Sequence, residues 1–432
     1  MRLLILASFT VVSYSLFADI LTIISPHRKS IQKEFVAAFE DAYVKQYGTK
    51  VKVDWIDQGG TESDVRYVQS KFAGGNKTSG IDIFWGGGEM AFEDLLGQGL
   101  LESYLLPESL NKEIPDKIAG LPVKEPKGLW YGTALSSFGI FFNKKLLSKI
   151  PQPAKWADLA DPQYFEQISM ADPRHSGSAL VMYMMIIEAF GWDKGWELLT
   201  AMAANTKKFS HSSSDPIKAV VSGDVAIATA VDFYAYPQIE SIGSDNLGFV
   251  LPANETAYNS DPVAILKGAP NRQAAERFVN FLLSKEAQKL FILPKGVQGG
   301  PVFATLGRMG VNTKAYEEIR NSGLKVFEPF TMADNKFNVD LKKLSLTKNV
   351  FADFFGTVLV DNHRGLAAAW KHEVVSKKVA VSDFAKSMLT ESELVALAPN
   401  WLRQDRQRND MINKWLKKSK ENFQIKDEQK GV

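Results

Sequence analysis

From residue 19 onward, short apolar runs alternate with amphipathic stretches. LTIIS (21–25) reads as a strand, and residues 30–48 place Ile31, Phe35, Phe39 and Tyr43 on one helical face before a Gly48 stop. VKVDWID (51–57) alternates as a strand does, and the helix after it has Thr61 or Ser63 as its expected N-cap. IDIFW (81–85) is a third strand, and a helix begins at Glu89. Strand and helix in strict alternation predict a parallel, doubly wound sheet.

From Leu129 the pattern changes to a strand, a small-residue crossing at Ser136 and Ser137, a further strand and a helix start at Asn143. A second α/β run follows to about residue 250, and DPVAILKGAPNRQAAERFVNFLLSKEAQKLF (261–291) reads as a strand and two helices. Residues from about 310 to 432 lack strand alternation and are expected to be mostly helical. Their basic tail, with Met411 and Trp415 four residues apart, reads as a terminal helix docked through that pair.

Composition narrows the class. The 432 residues carry 51 basic and 49 acidic side chains, a balance without the electrostatic footprint of a nucleic-acid binder. Residues 1–18 combine Met1-Arg2 with an apolar stretch ending at Ala18, the grammar of a cleaved signal peptide. The chain contains no cysteine, which excludes disulfides, thiolate metal sites and the acylated cysteine of a lipoprotein anchor. The expectation is a soluble periplasmic protein.

The turns after the first three strands, SPHRKS (25–30), DQGGTES (57–63) and WGGGE (85–89), belong to one edge of a sheet. Gly86-Gly87-Gly88 fits neither a P-loop nor a dinucleotide fingerprint, because no lysine follows and the spacing fails. Its glycines let a ligand approach the backbone, with Trp85 stacking on that ligand or buried behind the loop. In the second run Arg174 stands beside Ser176-Gly177-Ser178, and Ser212 to Ser214 precede another helix. Free amides and hydroxyls at five helix openings, with His27 and Arg174 as charged donors, point to a small oxygen-rich solute. Simple N-capping is the alternative for each serine taken singly. Neither H-E-x-x-H nor G-x-S-x-G occurs, and nothing selects a carboxylate pair for a glycosidase. Tyr131, Tyr234 and Tyr236, with Asp232 and His27, are the oxygen and imidazole ligands available to a ferric ion.

Several segments together resemble the bacterial extracellular solute-binding proteins of ABC importers, whose members take ferric iron, thiamine, aminoalkylphosphonates or sugar phosphates. They are FNKKLL (142–147), KWADLADP (155–162), ADPRHSGSA (171–179), residues 212–232 and residues 261–291. The resemblance implies an α/β fold of two lobes (type II-like) joined by two crossing strands, 19–132 plus 260–310 forming the first lobe and 138–250 the second. Residues 311–432 would be a helical extension packed on the first lobe. Ser25, His27, Thr61, Trp85, Gly86, Gly87, Gly88, Ser136, Ser137, Arg174, Ser176, Ser178, Ser213, Asp232 and Tyr234 are the expected ligand-binding positions. The implied function is capture of a small anionic solute for an inner-membrane ABC permease, by a monomer that is not an enzyme, holds no cofactor and binds no nucleic acid. Ferric binders of this type carry two adjacent tyrosines that this chain lacks. Ferric capture and a secreted hydrolase stand as alternatives.

Overall fold

The computed structural model describes residues 19–256, 258–331 and 339–424, so the expected leader at 1–18 lies outside the described residues. The chain opens with β1 (Asp19–Ile24), α1 (Lys29–Tyr47), β2 (Val51–Ile56), α2 (Thr61–Phe72), β3 (Ile83–Trp85) and α3 (Glu89–Gly97). β1 pairs in parallel with both β2 and β3. α1 buries Ile31, Phe35, Phe39 and Tyr43 as their spacing requires, and Gly48 ends it in the left-handed conformation at φ 69°. Short elements β4 (Leu101–Glu102), α4 (Glu108–Glu113), β5 (Lys117–Ile118) and β6 (Leu121–Pro122) lead to β7 (Tyr131–Asn143).

β7 is the structural axis, a single strand of 13 residues rather than two strands split at Ser136-Ser137. Those two serines mark the place where its neighbours change. Up to Ser137 it pairs with β12 (Tyr258–Leu266), and from Phe138 onward with β10 (Ile227–Val231) and β11 (Leu247–Val250). The expected helix at Asn143 is instead a set of turns, because the Asn143 side chain accepts the Lys145 and Leu146 amides. The second lobe comprises β8 (Ile168–Ala171), α5 (Gly177–Phe190), α6 (Trp192–Asn205), β9 (Thr206–Ser210), α7 (Asp215–Val221), β10, α8 (Asp232–Ile242) and β11. β12 returns the chain to the first lobe, where α9 (Arg272–Leu283), α10 (Lys285–Ile292) and β13 (Met309–Gly310) complete it. One continuous order, β2-β1-β3-β12-β7-β10-β8-β9, thus runs through both lobes.

The C-terminal extension packs on the first lobe only in part. α11 (Thr313–Asn321) packs beside α10, but α13 (His363–Trp370), α14 (Val381–Phe384), α15 (Glu391–Leu397) and α16 (Asp405–Asn422) build onto the second lobe, and α12 (Leu341–Phe355) packs against both α5 of the second lobe and α3 of the first. Phe351, Phe354, Phe355, Trp370, Trp401 and Trp415 share one buried cluster with Tyr183, Trp192 and Trp196. Phe354 stacks on Trp196 at 4.4 Å, and Trp415 stacks on Trp401 at 5.3 Å. Trp192 donates to the Leu389 carbonyl and Trp370 to Asn205 Oδ1, so buried indoles on each side are satisfied by the other. The cause lies in α5 and α6, which are apolar on nearly every side and need cover beyond their own sheet.

Candidate functional site

A cleft of about 1090 Å³ opens between the lobes where the sheet changes partners. From the first lobe, α1 begins at the turn that carries His27 and Arg28, and α2 begins at Gly60, which takes the cap position without a side-chain bond. Thr61 is therefore the first helical residue rather than the cap. The glycine loop stands beside both turns. Gly86, Gly87 and Gly88 have φ of 88°, 92° and 81°, a conformation that side chains strain to adopt. A Cβ on Gly86 would lie 2.5 Å from the His27 ring, and one on Gly87 would lie 2.5 Å from Thr61. Gly87 and Gly88 line the cleft, and Gly86 does not. Trp85 is fully buried behind the loop, edge-on to His27 at 4.5 Å, so it packs rather than stacking on a solute.

β7 contributes Ser136 at the crossing, and the second lobe contributes Arg174, Ser176, Ser178, Ser213 and Tyr234 to the same cleft. Ser176 caps α5 by accepting the Ala179 amide. Asp172 grips Arg174 through Nε at 3.1 Å and one terminal nitrogen at 2.7 Å, and Asp361 of the extension holds the remaining edge at 2.7 and 2.9 Å. Gly356 opens a π-helical turn (Gly356–Val360) directly against that guanidinium, where a Cβ would lie 2.2 Å from Arg174 Nε.

Other expected residues belong to the scaffold. Ser25 is fully buried with its hydroxyl 2.9 Å from His27 Nδ1. Ser137 and Asp232 satisfy each other: Asp232 accepts the Ser137 amide at 2.9 Å and its hydroxyl at 2.7 Å, and takes the Phe233 amide besides. Burial raises the Asp232 pKa to about 7 despite those bonds. Tyr131 donates to the Tyr104 carbonyl inside the first lobe, and Tyr236 packs edge-on against Phe249. Of the three tyrosines weighed for iron only Tyr234 reaches the cleft, so the set does not converge.

The centre of the cleft holds residues that sequence reasoning passed over: Arg28, Phe233, Asp261 and Arg308. A bulge at Asp261-Pro262 in β12, where proline has no amide for the ladder, accompanies the turn of Asp261 into the cleft. Asp261 binds Arg308 and lies 2.7 Å from His27 Nε2. Burial by itself would raise the Asp261 pKa, but His27, protonated in the acid range where Asp261 titrates, and Arg308 outweigh it and hold the group down at about 2. Burial lowers the His27 pKa against the pull of Asp261, which favours a neutral ring with Nε2–H toward Asp261 and Nδ1 toward Ser25.

Among the described residues Arg28 has no carboxylate partner. One terminal nitrogen donates to the Leu306 carbonyl at 3.2 Å, the guanidinium lies 5.5 Å from the Tyr234 ring centre, and Nε is buried without an acceptor. Arg308, only 8% exposed, lies over Phe233 at 4.2 Å, and its Nε is likewise unpartnered among the described residues. Burial, then the Arg308 charge, presses the Arg28 pKa downward. Asp261 therefore balances Arg308 alone, Arg28 adds a second guanidinium without a carboxylate among the described residues, and the cleft centre is cationic. Arg28 was legible only as the sole arginine of the first strand-to-helix turn; Arg308 lies in a loop without any periodic signal.

The extension also reaches the cleft, through Asn349, Ala352, Asp353, Leu402 and Arg408. Lys348, one residue away, crosses to the first lobe and pairs with Glu62 and Asp94.

Comparison with known proteins agrees with this architecture. The phosphoglycerate transport regulatory protein PgtC of Salmonella typhimurium is 27% identical over 186 residues, 43% of this chain and 44% of that protein, so the match spans less than half of it. The major ferric iron-binding protein of Neisseria meningitidis is 27% identical over 293 residues, 65% of this chain and 83% of that one. Among solved structures, the periplasmic binding protein AfuA of Actinobacillus pleuropneumoniae, with fructose-6-phosphate bound, superimposes with a TM-score of 0.60 at 22% identity. That similarity covers 83% of this chain and 99% of AfuA, and it establishes the two-lobed periplasmic binding fold. The sequence model of one family matches residues 79–298, half of the chain, and the chain belongs to that family, the bacterial extracellular solute-binding proteins.

Proposed function

We propose that this solute-binding protein captures a small phosphorylated or carboxylated anion between its lobes and hands it to an inner-membrane ABC permease. The observation that carries the reading is the pair Arg28 and Arg308, two largely desolvated guanidinium groups of which only Arg308 has a carboxylate partner, Asp261, and each with an Nε unsatisfied among the described residues. A buried cation without a counter-charge is costly, and an oxyanion of the solute supplies both the charge and the acceptors. The α5 N-terminus adds a second donor set, because the Gly177 and Ser178 amides have no acceptor among the described residues.

The carboxylates that line the cleft support a binding role over hydrolysis, since each is engaged by a cation. Glu62 pairs with Lys348, Asp215 with Lys218, Asp261 with Arg308 and Asp353 with Arg408. The ferric alternative draws support from the Neisseria relative but finds no gathered tyrosines here. PgtC, by its name, handles a phosphorylated acid, which accords with the anion reading. Export by cleavage of residues 1–18, a monomeric state and indifference to nucleic acid complete the proposal.

Calorimetric titration with glycerol 3-phosphate tests it. One site per chain is expected, with Arg28→Met weakening it about 10- to 100-fold, the range of one charge-assisted contact. An unaltered affinity in the variant, or no binding of any phosphate ester by the native chain, would remove the basis of the reading.

A further inference from the structure

The cleft has a cation that belongs to neither lobe. Arg408 is on α16 of the extension and lines the same cavity as Arg28 and Arg308. Its Nε donates to Asp353 at 2.7 Å, and Trp401 donates to the same carboxylate oxygen at 2.8 Å. The two terminal nitrogens of Arg408 have no acceptor among the described residues, and the side chain is one-third exposed. Asp353 thus fixes the guanidinium by its Nε edge and leaves the forked edge free. Such a fork matches the two oxygens of a carboxylate. A dianionic phosphate is the poorer match, because Asp353 already balances the arginine charge formally and stands beside the fork.

We propose that Arg408 forms a second, carboxylate-recognising subsite, so that the solute is a small phosphorylated carboxylic acid whose phosphate meets Arg28 and Arg308. The inference rests on the anion reading above and narrows it. Asp353 and Trp401 act as positioning residues for Arg408. Asn349 and Ala352, which also line the cleft, bring this face of α12 within the site. The extension is then a specificity wall rather than an appendage, lying outside the residues 79–298 that match the family.

The test compares matched probes by calorimetry on the full chain: 3-phosphoglycerate against glycerol 3-phosphate, and 4-phosphoerythronate against erythritol 4-phosphate. The native chain is expected to prefer the acid of at least one pair by about 10-fold or more, a charge-assisted bidentate contact. Arg408→Gln should abolish that preference while leaving the affinity for the carboxylate-free probe within about 3-fold, and Arg408→Lys should restore only part of it. Because Asp353 keeps its Trp401 bond in both variants, an intact melting transition verifies the fold. A preference that survives Arg408→Gln, or no preference for either acid, overturns the subsite while the anion reading stands. Failure of all four probes to bind the native chain overturns both.

Discussion

Lys348 of α12 places its ammonium 2.9 Å from the carboxylate of Glu62, the second residue of α2, although the two are anchored in different lobes. The lysine is 2% exposed and also donates to Asp94 of α3 at 2.6 Å. Burial alone would lower its pKa, but the two acids outweigh that and raise it. α12 buries its apolar face in the core of the second lobe and also packs along α3 of the first, so this ion pair is part of a contact that ties the extension to both lobes. Any hinge motion must carry or break it.

Replacing Lys348 by Met is expected to lower stability by about 1.5–3 kcal/mol, the value of hydrogen bonds to a charged group, since Glu62 and Asp94 are partly exposed and rehydrate. Urea unfolding measures that loss. Small-angle scattering of the solute-free variant should give a larger radius of gyration than the native chain, and an unchanged radius would mean that the pair does not restrain the lobes.

Gly356→Ala tests whether the extension seats Arg174. The glycine has an ordinary helical backbone, so no strain is added, but the new methyl would occupy space now filled by the Arg174 Nε. The guanidinium must shift from Asp361. Solute affinity should fall about 3- to 10-fold with a melting temperature close to native, whereas a stability loss with unchanged affinity would mean that Arg174 is structural only.

Gly87→Val adds a Cβ at φ 92° and against Thr61. Left-handed backbone and β-branching together cost about 1–3 kcal/mol locally. Binding should be lost while the far-ultraviolet circular dichroism is retained. Native affinity in this variant would show that the loop is a turn without a role in the site.

Much of the first lobe was legible because its signals are local. Apolar spacing in α1 and the turns after β1, β2 and β3 are written in consecutive residues. The docking of α12 to α16 was not, because it depends on apolar surface left over by α5 and α6 far earlier in the chain. The site divides in the same way. Thr61, Gly87, Gly88, Ser176 and Ser178 stand in turns whose composition announces them, and the structure places all five on the cleft. Asp232 and Ser137 resemble ligand groups in sequence, yet their partner is each other, at the start of α8 and on β7. Arg28, Arg308 and Arg408 come together from three distant segments, and an isolated arginine carries no periodic signature.

Acid dependence follows from Glu89, which is buried with one oxygen unpartnered among the described residues and the other accepting only the Ser260 amide. Burial raises its pKa to about 8. Between about pH 4 and about pH 8 the folded chain keeps a proton that the unfolded chain has released, so this group makes stability fall as pH rises. Asp64, raised to about 7 by burial, acts in the same direction. Asp261 acts oppositely: its contribution is present above about pH 4 and is lost as pH falls through about 2. Glu89→Gln should therefore raise the urea midpoint at about pH 9 and leave it nearly unchanged at about pH 5. Equal shifts at both values would contradict the assignment.

The most direct test of the account is native mass spectrometry of the protein purified from rich medium, followed by denaturation and identification of the released molecule. The account predicts one phosphorylated or carboxylated small molecule per chain, absent from the Arg28→Met variant. A ferric ion or an uncharged sugar in its place would contradict it.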